Sequence, residues 1–141
     1  MARYNRINLD GESVTRTALT GAALKAGNLV KLNASGAFVV HATAGKKQDF
    51  VYLMNVDYLQ GKKADDTITS GDAGVGEMFV TNRECAALVV AATVLKLDSP
   101  LTSDGAGLLK LAVLGTDEVV AYSCEALTVA AGGELVRVRA A

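Results

Sequence analysis

The sequence predicts an all-β fold: a compact β-sandwich or small β-barrel of short strands, with an extended N-terminal arm. Three observations predict it. A seven-residue pattern (small, small, polar, apolar, apolar, basic, apolar) occurs three times, as Ala26–Leu32, Ala91–Leu97 and Gly132–Val138. Short apolar runs alternate with turns rich in Gly, Asn, Asp and Ser, the spacing of an antiparallel sandwich or barrel. No stretch sustains the 3.6-residue period of a helix, and Thr20 to Leu24 has room for one helical turn only.

The repeated pattern reads as a half-buried strand, because side chains on a strand alternate between its faces. Val30 with Leu32, Leu95 with Leu97 and Val136 with Val138 form the core-facing pairs. The intervening cation points outward beside Leu29, Val94 or Leu135. The small residues in front suit a tight turn into the strand. Unequal spacing between the copies excludes a fixed-period solenoid.

Taken in order, residues 1–23 form the arm and 24–141 a single β domain. In the arm, polar residues intersperse with isolated apolar ones and no face persists. Two readings stand open: a frayed terminus, or a segment that orders against a neighbouring subunit. In the second, deleting residues 2–22 weakens partner binding and leaves the core folded. Asn28–Leu32 and Ala37–His41 form a hairpin around Asn33-Ala34-Ser35-Gly36. Ala44–Asp49 is a loop. Phe50–Tyr58 is an apolar strand with Phe50, Tyr52, Met54, Val56 and Tyr58 on one face. After the loop Gln60–Asp66, Thr67–Thr69 forms a brief strand and Ser70–Gly76 a flexible turn region. Strands follow at Glu77–Thr81, with Phe79 inward, and at Glu84–Val90. Asp98–Gly107 is the longest loop. Leu108–Val113 returns, Glu118–Val129 gives one bent strand or two, and Glu134–Arg139 closes the chain. About eight to ten strands are expected on this spacing.

With 141 residues the chain suffices for one core. Aromatics make up 5% and Trp is absent, so Val, Leu and Ala fill the interior. A formal net charge of −1 argues against a nucleic-acid partner, which needs clustered cations. No apolar run reaches membrane-span length, so no membrane partner is expected. The polar, basic N-terminus lacks a signal-peptide core. Synthesis in a reducing host cytoplasm is therefore expected, with Cys85 and Cys124 as free, buried thiols.

The catalytic inventory is thin, and the chain reads as no enzyme. His41 is the single histidine. No nucleophile stands in a recognisable relation to it, and it reads as a surface or interface residue. Asp65, Asp66, Asp72 and Glu77 match no calcium-loop spacing. Gly71–Gly76 lacks the Lys-Ser/Thr pair and following helix of a phosphate loop. No catalytic residue, cofactor or metal is expected. The cations remain, as ordinary surface charge or as a means of docking onto an acidic protein surface. Expected contact residues are Arg3, Tyr4, Arg6 and Arg16 in the arm, with Lys46 and Lys47 in the following loop.

The run "ALKAGNLVKLNASGAFVVHATAG" (residues 23–45) resembles the opening of tailed-phage capsid cement or decoration proteins. Val89–Asp98 and Glu125-Ala126-Leu127 before the last strand are similar to later parts of that family. The likeness spans roughly residues 20–139. The chain departs from the family after the first hairpin, where Val51–Val56 replaces the usual "IG-V" step. The resemblance implies a head-stabilising β-module on the capsid exterior of a bacteriophage virion. Its implied partner is the major capsid protein, whose neighbouring subunits it braces. It also implies a homo-oligomer, with a trimer expected, and no catalytic residues. The alternatives are another phage structural β-module, associated with tail or fibre, and a small ligand-binding β-barrel.

Overall fold

The computed structural model describes residues 3–47, 51–131 and 133–141. Strands take up 41% of the chain, so the predicted all-β class holds. The strands are β1 (Asn8–Asp10), β2 (Thr15–Leu19), β3 (Leu24–Lys25), β4 (Leu29–Leu32), β5 (Phe38–Val40), β6 (Tyr52–Met54), β7 (Thr67–Ile68), β8 (Ala73–Met78), β9 (Glu84–Val89), β10 (Val94–Leu95), β11 (Pro100–Ser103), β12 (Leu109–Leu111), β13 (Ala121–Ser123), β14 (Leu127–Thr128) and β15 (Glu134–Ala140). They outnumber the eight to ten expected because many span only two or three residues between turns.

Five strands close a barrel in the order β9–β12–β11–β13–β15, and β15 pairs back onto β9. The β9–β15 ladder is the longest, running from Glu134↔Val89 to Arg139↔Glu84. A second, five-stranded sheet has the order β2–β8–β6–β4–β5. It curls until its two edges meet at the Thr20–Phe38 bridge. There Gly21 N donates to Phe38 O at 2.8 Å.

The three copies of the sequence pattern share a backbone device. Their second residues, Gly27, Ala92 and Gly133, have φ of 87°, 65° and 79°. Each turns the chain through the left-handed region that favours glycine. Beyond that turn the copies diverge. Val30 joins a core cluster with Phe38, Tyr52, Met54, Leu24 and Ile68 inside the curled sheet. Leu29, expected outside, is buried in the larger cluster with Leu53, and Leu135 is buried there with Val136 and Val138. These strands are covered on both faces because the curled sheet packs on the barrel. In the second copy Leu95 is buried, but Leu97 is 69% exposed. The strand stops at Leu95, Ser99 Oγ accepts from Lys96 N at 2.9 Å, and Asp98 turns with φ of 62°. Leu97 therefore sits in a turn and not in the core. Gly132 lies outside the described residues.

The first hairpin forms as expected, with Lys31 opposite Val39. Asn33 Oδ1 accepts from Ser35 N and Ala37 N and fixes its turn. The expected strand Phe50–Tyr58 is shorter. Phe50 lies outside the described residues, as do Gln48 and Asp49 of the preceding loop. Tyr52 and Met54 face the smaller cluster, whereas Val56 turns to the larger one and Tyr58 to solvent.

Two further expectations are corrected. Ser70–Gly76 is not simply a turn, because β8 begins at Ala73. Its glycines serve packing: a Cβ on Gly76 would stand 2.7 Å from Phe38 Cζ, and one on Gly74 would stand 3.1 Å from Met54 Cε. Asp98–Gly107 contains β11, whose proline occupies the first strand position, where no ladder donor is lost. Leu101, Thr102 and Ser103 are fully buried.

The N-terminal segment is extended, but it lies on its own domain. β1 pairs with β9, and β2 pairs with β8 from Thr15↔Glu77 to Leu19↔Ala73. Ile7 is fully buried in the larger core. A buried ion pair fastens the segment down. Arg83 Nη2 meets Glu77 Oε2 at 2.5 Å, and both side chains are almost wholly buried. Arg83 also donates to Asn8 Oδ1 (3.0 Å) and Met78 O (2.7 Å). Glu77 accepts from Ser13 Oγ (2.8 Å) and Asn55 Nδ2 (3.1 Å). A buried pair is tolerable only when its remaining donors and acceptors are met, and here Asn8 and Ser13 of the N-terminal segment meet them.

Candidate binding surface

The segment from Val56 to Asp65 organises a braced surface turn with grooves beside it. Tyr58–Gln60 forms a single 3-10 turn capped by Gly61 in the left-handed conformation. Gln60 Nε2 donates to Asp57 Oδ2 (2.9 Å), and Lys62 N donates to Asp57 O (3.0 Å). Tyr58 Oη donates to Asn5 O at 3.2 Å and ties the turn to the N-terminal segment. This braced turn holds Tyr58 and Leu59 out into solvent, Leu59 with 89% of its surface exposed.

Grooves flank the turn. One, of about 510 Å³, runs between Tyr4 and Tyr58 over Val56 and Ala64, with Lys62 and Lys63 on its rim. Another, of about 290 Å³, is bordered by Tyr58 and Leu59 on one side and by Thr17, Ala73 and Val75 on the other. They share Val56 and Tyr58. A third shares Ala64 and Asp65 with the first and continues past Lys25 and Leu88 to Glu134. The three adjoin through these shared residues, as a furrow divided by the Tyr58 ridge.

Of the expected contact residues, Arg3, Tyr4 and Arg6 lie at this furrow or next to it in the chain. Arg3 forms a two-pronged pair with Glu125, at 2.8 and 3.0 Å, and its guanidinium stands 5.6 Å from the Tyr4 ring centroid. Burial works against the Glu125 carboxylate, but the hydrogen bonds from Arg3 and from Arg137 N outweigh it and hold its pKa below the usual range. Burial raises the pKa of the Tyr4 phenol. Arg6 is exposed, and Arg16 is exposed on β2. Lys46 and Lys47 gather elsewhere, around Glu118. Lys46 Nζ is 3.7 Å from Glu118 Oε1, Lys47 N donates to Glu118 Oε2 (2.7 Å), and Lys47 Nζ donates to Ala141 O (2.9 Å). Sequence reasoning missed Tyr58, Leu59 and Lys63 as a unit. The signal in the sequence was a Tyr-Leu pair two residues before Gly61 and the lysines Lys62 and Lys63.

The reactive groups lie apart from the furrow. His41 is fully buried, not at the surface, because Ser103 of β11 holds its ring. Ser103 Oγ and His41 Nδ1 share a hydrogen bond of 3.0 Å, and Nε2 has no protein partner. Burial lowers the His41 pKa, so the ring is neutral near pH 7. Cys85 is buried and its thiol is pushed up to about 11 by desolvation. Cys124 is half-buried rather than buried, and both thiols are free. Glu77, weighed as a cation ligand with Asp65, Asp66 and Asp72, is instead taken up by Arg83. Among the described residues no three His, Cys, Asp or Glu side chains gather to hold a metal ion. No helix of the described residues is long and apolar enough to cross a membrane.

No protein-family model matches the chain, and no curated protein matches it. Among solved structures the fold is similar to the N base of head fiber gp8.5 in bacteriophage phi29, with a TM-score of 0.50 and 17% identity. The superposition covers 92% of this chain and 95% of that one, so the likeness is one of fold over nearly the whole chain.

Proposed function

We propose that this chain is a structural protein of a bacteriophage virion that docks on the outside of the assembled head. In this reading it braces neighbouring major capsid protein subunits. The observation that carries it is fold likeness over nearly the whole chain to the base of a head fiber, together with the cement-protein resemblance of residues 20–139. The physical role is mass action: a protein that binds only the assembled shell stabilises it by its own binding free energy. Many copies bound in this way sum modest contacts, with no catalytic step. A homo-oligomer, a trimer in the first instance, fits this role, because one particle symmetry axis then presents equivalent contacts to all copies.

The test is co-sedimentation of the purified chain with expanded heads that lack it, followed by heat or chaotrope challenge. Saturable binding and a higher temperature of genome or shell release support the reading. Absence of any shift at saturating protein overturns it. A second reading, the base of a head fiber, is favoured by the solved neighbour itself. Electron cryomicroscopy of the particle separates the two: density flush between capsid subunits marks the first, and a projecting appendage above the chain marks the second.

A further inference from the structure

We infer that the furrow around Tyr58–Leu59 is a docking site for an extended acidic–apolar segment of a partner protein. This deepens the functional reading above and rests on it for the partner's identity. A leucine that solvent reaches almost completely, held on a turn braced by Asp57, Gly61 and the Asn5 carbonyl, gains nothing for the isolated fold. Burying such a side chain on a partner is favourable, and rigid presentation removes much of the ordering cost of binding. Leu59 with Tyr58 thus has the character of an interface anchor.

Charge selects the occupant. On the Tyr4 side the groove carries two ammonium groups, Lys62 and Lys63, against one carboxylate, Asp65. Arg6 adds an exposed guanidinium next to Asn5. Lys62 Nζ is turned onto Thr67 O, whereas neither Lys63 nor Arg6 enters an ion pair among the described residues. On the other side the groove is mostly apolar, with Val75, Ala73 and Ile68, and the Asp57 carboxylate in its lining is taken up by Gln60. A segment lying across the Tyr58 ridge therefore meets cations on one side and aliphatic surface on the other. Carboxylates next to apolar side chains complement that order.

The test uses the full-length chain and a synthetic peptide, acetyl-Asp-Leu-Asp-Leu-Glu-Leu-amide, followed by backbone amide NMR. Saturable shifts confined to residues 4–6, 56–65 and 73–75 are expected. They should weaken on raising salt from 50 to 500 mM, and the same peptide with Lys for every acid should bind at least about tenfold less tightly. Leu59→Ser and Lys63→Glu should each weaken binding by about tenfold or more, as loss of an anchor does. Both positions are exposed, so both variants should stay folded, which the same spectra check. Absence of saturable shifts, shifts centred elsewhere, or equal binding of the lysine peptide overturns the inference. In the head-binding assay, wild-type binding with undiminished binding by both variants also overturns it, while leaving the broader function intact. Failure of the wild type to bind heads overturns the broader function, and the peptide titration then decides this site alone.

Discussion

Gly27 and Leu135 occupy adjoining space so closely that a Cβ on Gly27 would stand 2.3 Å from Leu135 Cδ2. The first copy of the sequence pattern is thus packed directly on the third. Gly27 O also accepts from Leu88 N, and Gly27 N donates to Met54 O, so this glycine joins the barrel to the curled sheet. Gly27→Ala should destabilise the protein by about 2–4 kcal/mol, through left-handed strain and overpacking together. Adding Leu135→Ala to that variant should cost less than it does in the wild type. Urea denaturation of the four members of the cycle measures the coupling, and additive effects would show that no steric contact is shared.

Ala92 holds the same position in the second copy, with φ of 65° and a Cβ that glycine lacks. Left-handed backbone costs an L-residue roughly 1–2 kcal/mol, offset in part by the greater freedom of glycine in the unfolded chain. Ala92→Gly should therefore stabilise by about 0.5–1 kcal/mol on that balance. A lower urea midpoint for the variant would contradict it.

Gly27, Ala92 and Gly133, the shared turn positions, show what the sequence discloses. The shared pattern forecast a shared turn, and the turn is there. It did not forecast how many faces each strand buries. That depends on what packs on the far side, and Leu29 and Leu135 are covered only because the curled sheet rests on the barrel. Polarity misled elsewhere for the same reason. Thr102 and Ser103 read as loop yet are interior, and the glycines of β8 read as turn yet make room for Phe38 and Met54. The furrow was legible in part. Arg3, Tyr4 and Arg6 were named from charge and position, but Leu59 gains its meaning only from the braced turn that exposes it.

Arg83 and Glu77 explain why the N-terminal segment belongs to the body of the domain. Arg83→Met leaves the Glu77 carboxylate buried without its cation, and should cost about 3–5 kcal/mol. Glu77→Gln added to that change should recover a substantial part, since an amide is less costly to bury than a charge. If the double variant is no more stable than Arg83→Met alone in urea denaturation, the ion pair is not what the single variant loses.

His41 gives the fold a specific response to pH. Burial lowers its pKa from the ordinary 6.5, so the unfolded chain takes up a proton before the folded one does. Stability contributed by the neutral ring is complete above about pH 6.5 and declines as pH falls below it, because the unfolded state then binds more protons. The carboxylates whose pKa values are depressed, Glu84 through Arg137, Glu118 through Lys47 N and, against the opposing effect of burial, Glu125 through Arg3, titrate below the ordinary carboxylate value and act at lower pH. The interval from pH 7 to 5.5 therefore isolates the histidine. Urea midpoints should fall across that interval in the wild type and stay level in His41→Gln, whose amide can still hydrogen-bond Ser103. A slope that survives the substitution would assign the titration to another group, and a flat wild-type profile would mean that the buried ring takes up its proton as readily in the folded state as in the unfolded one.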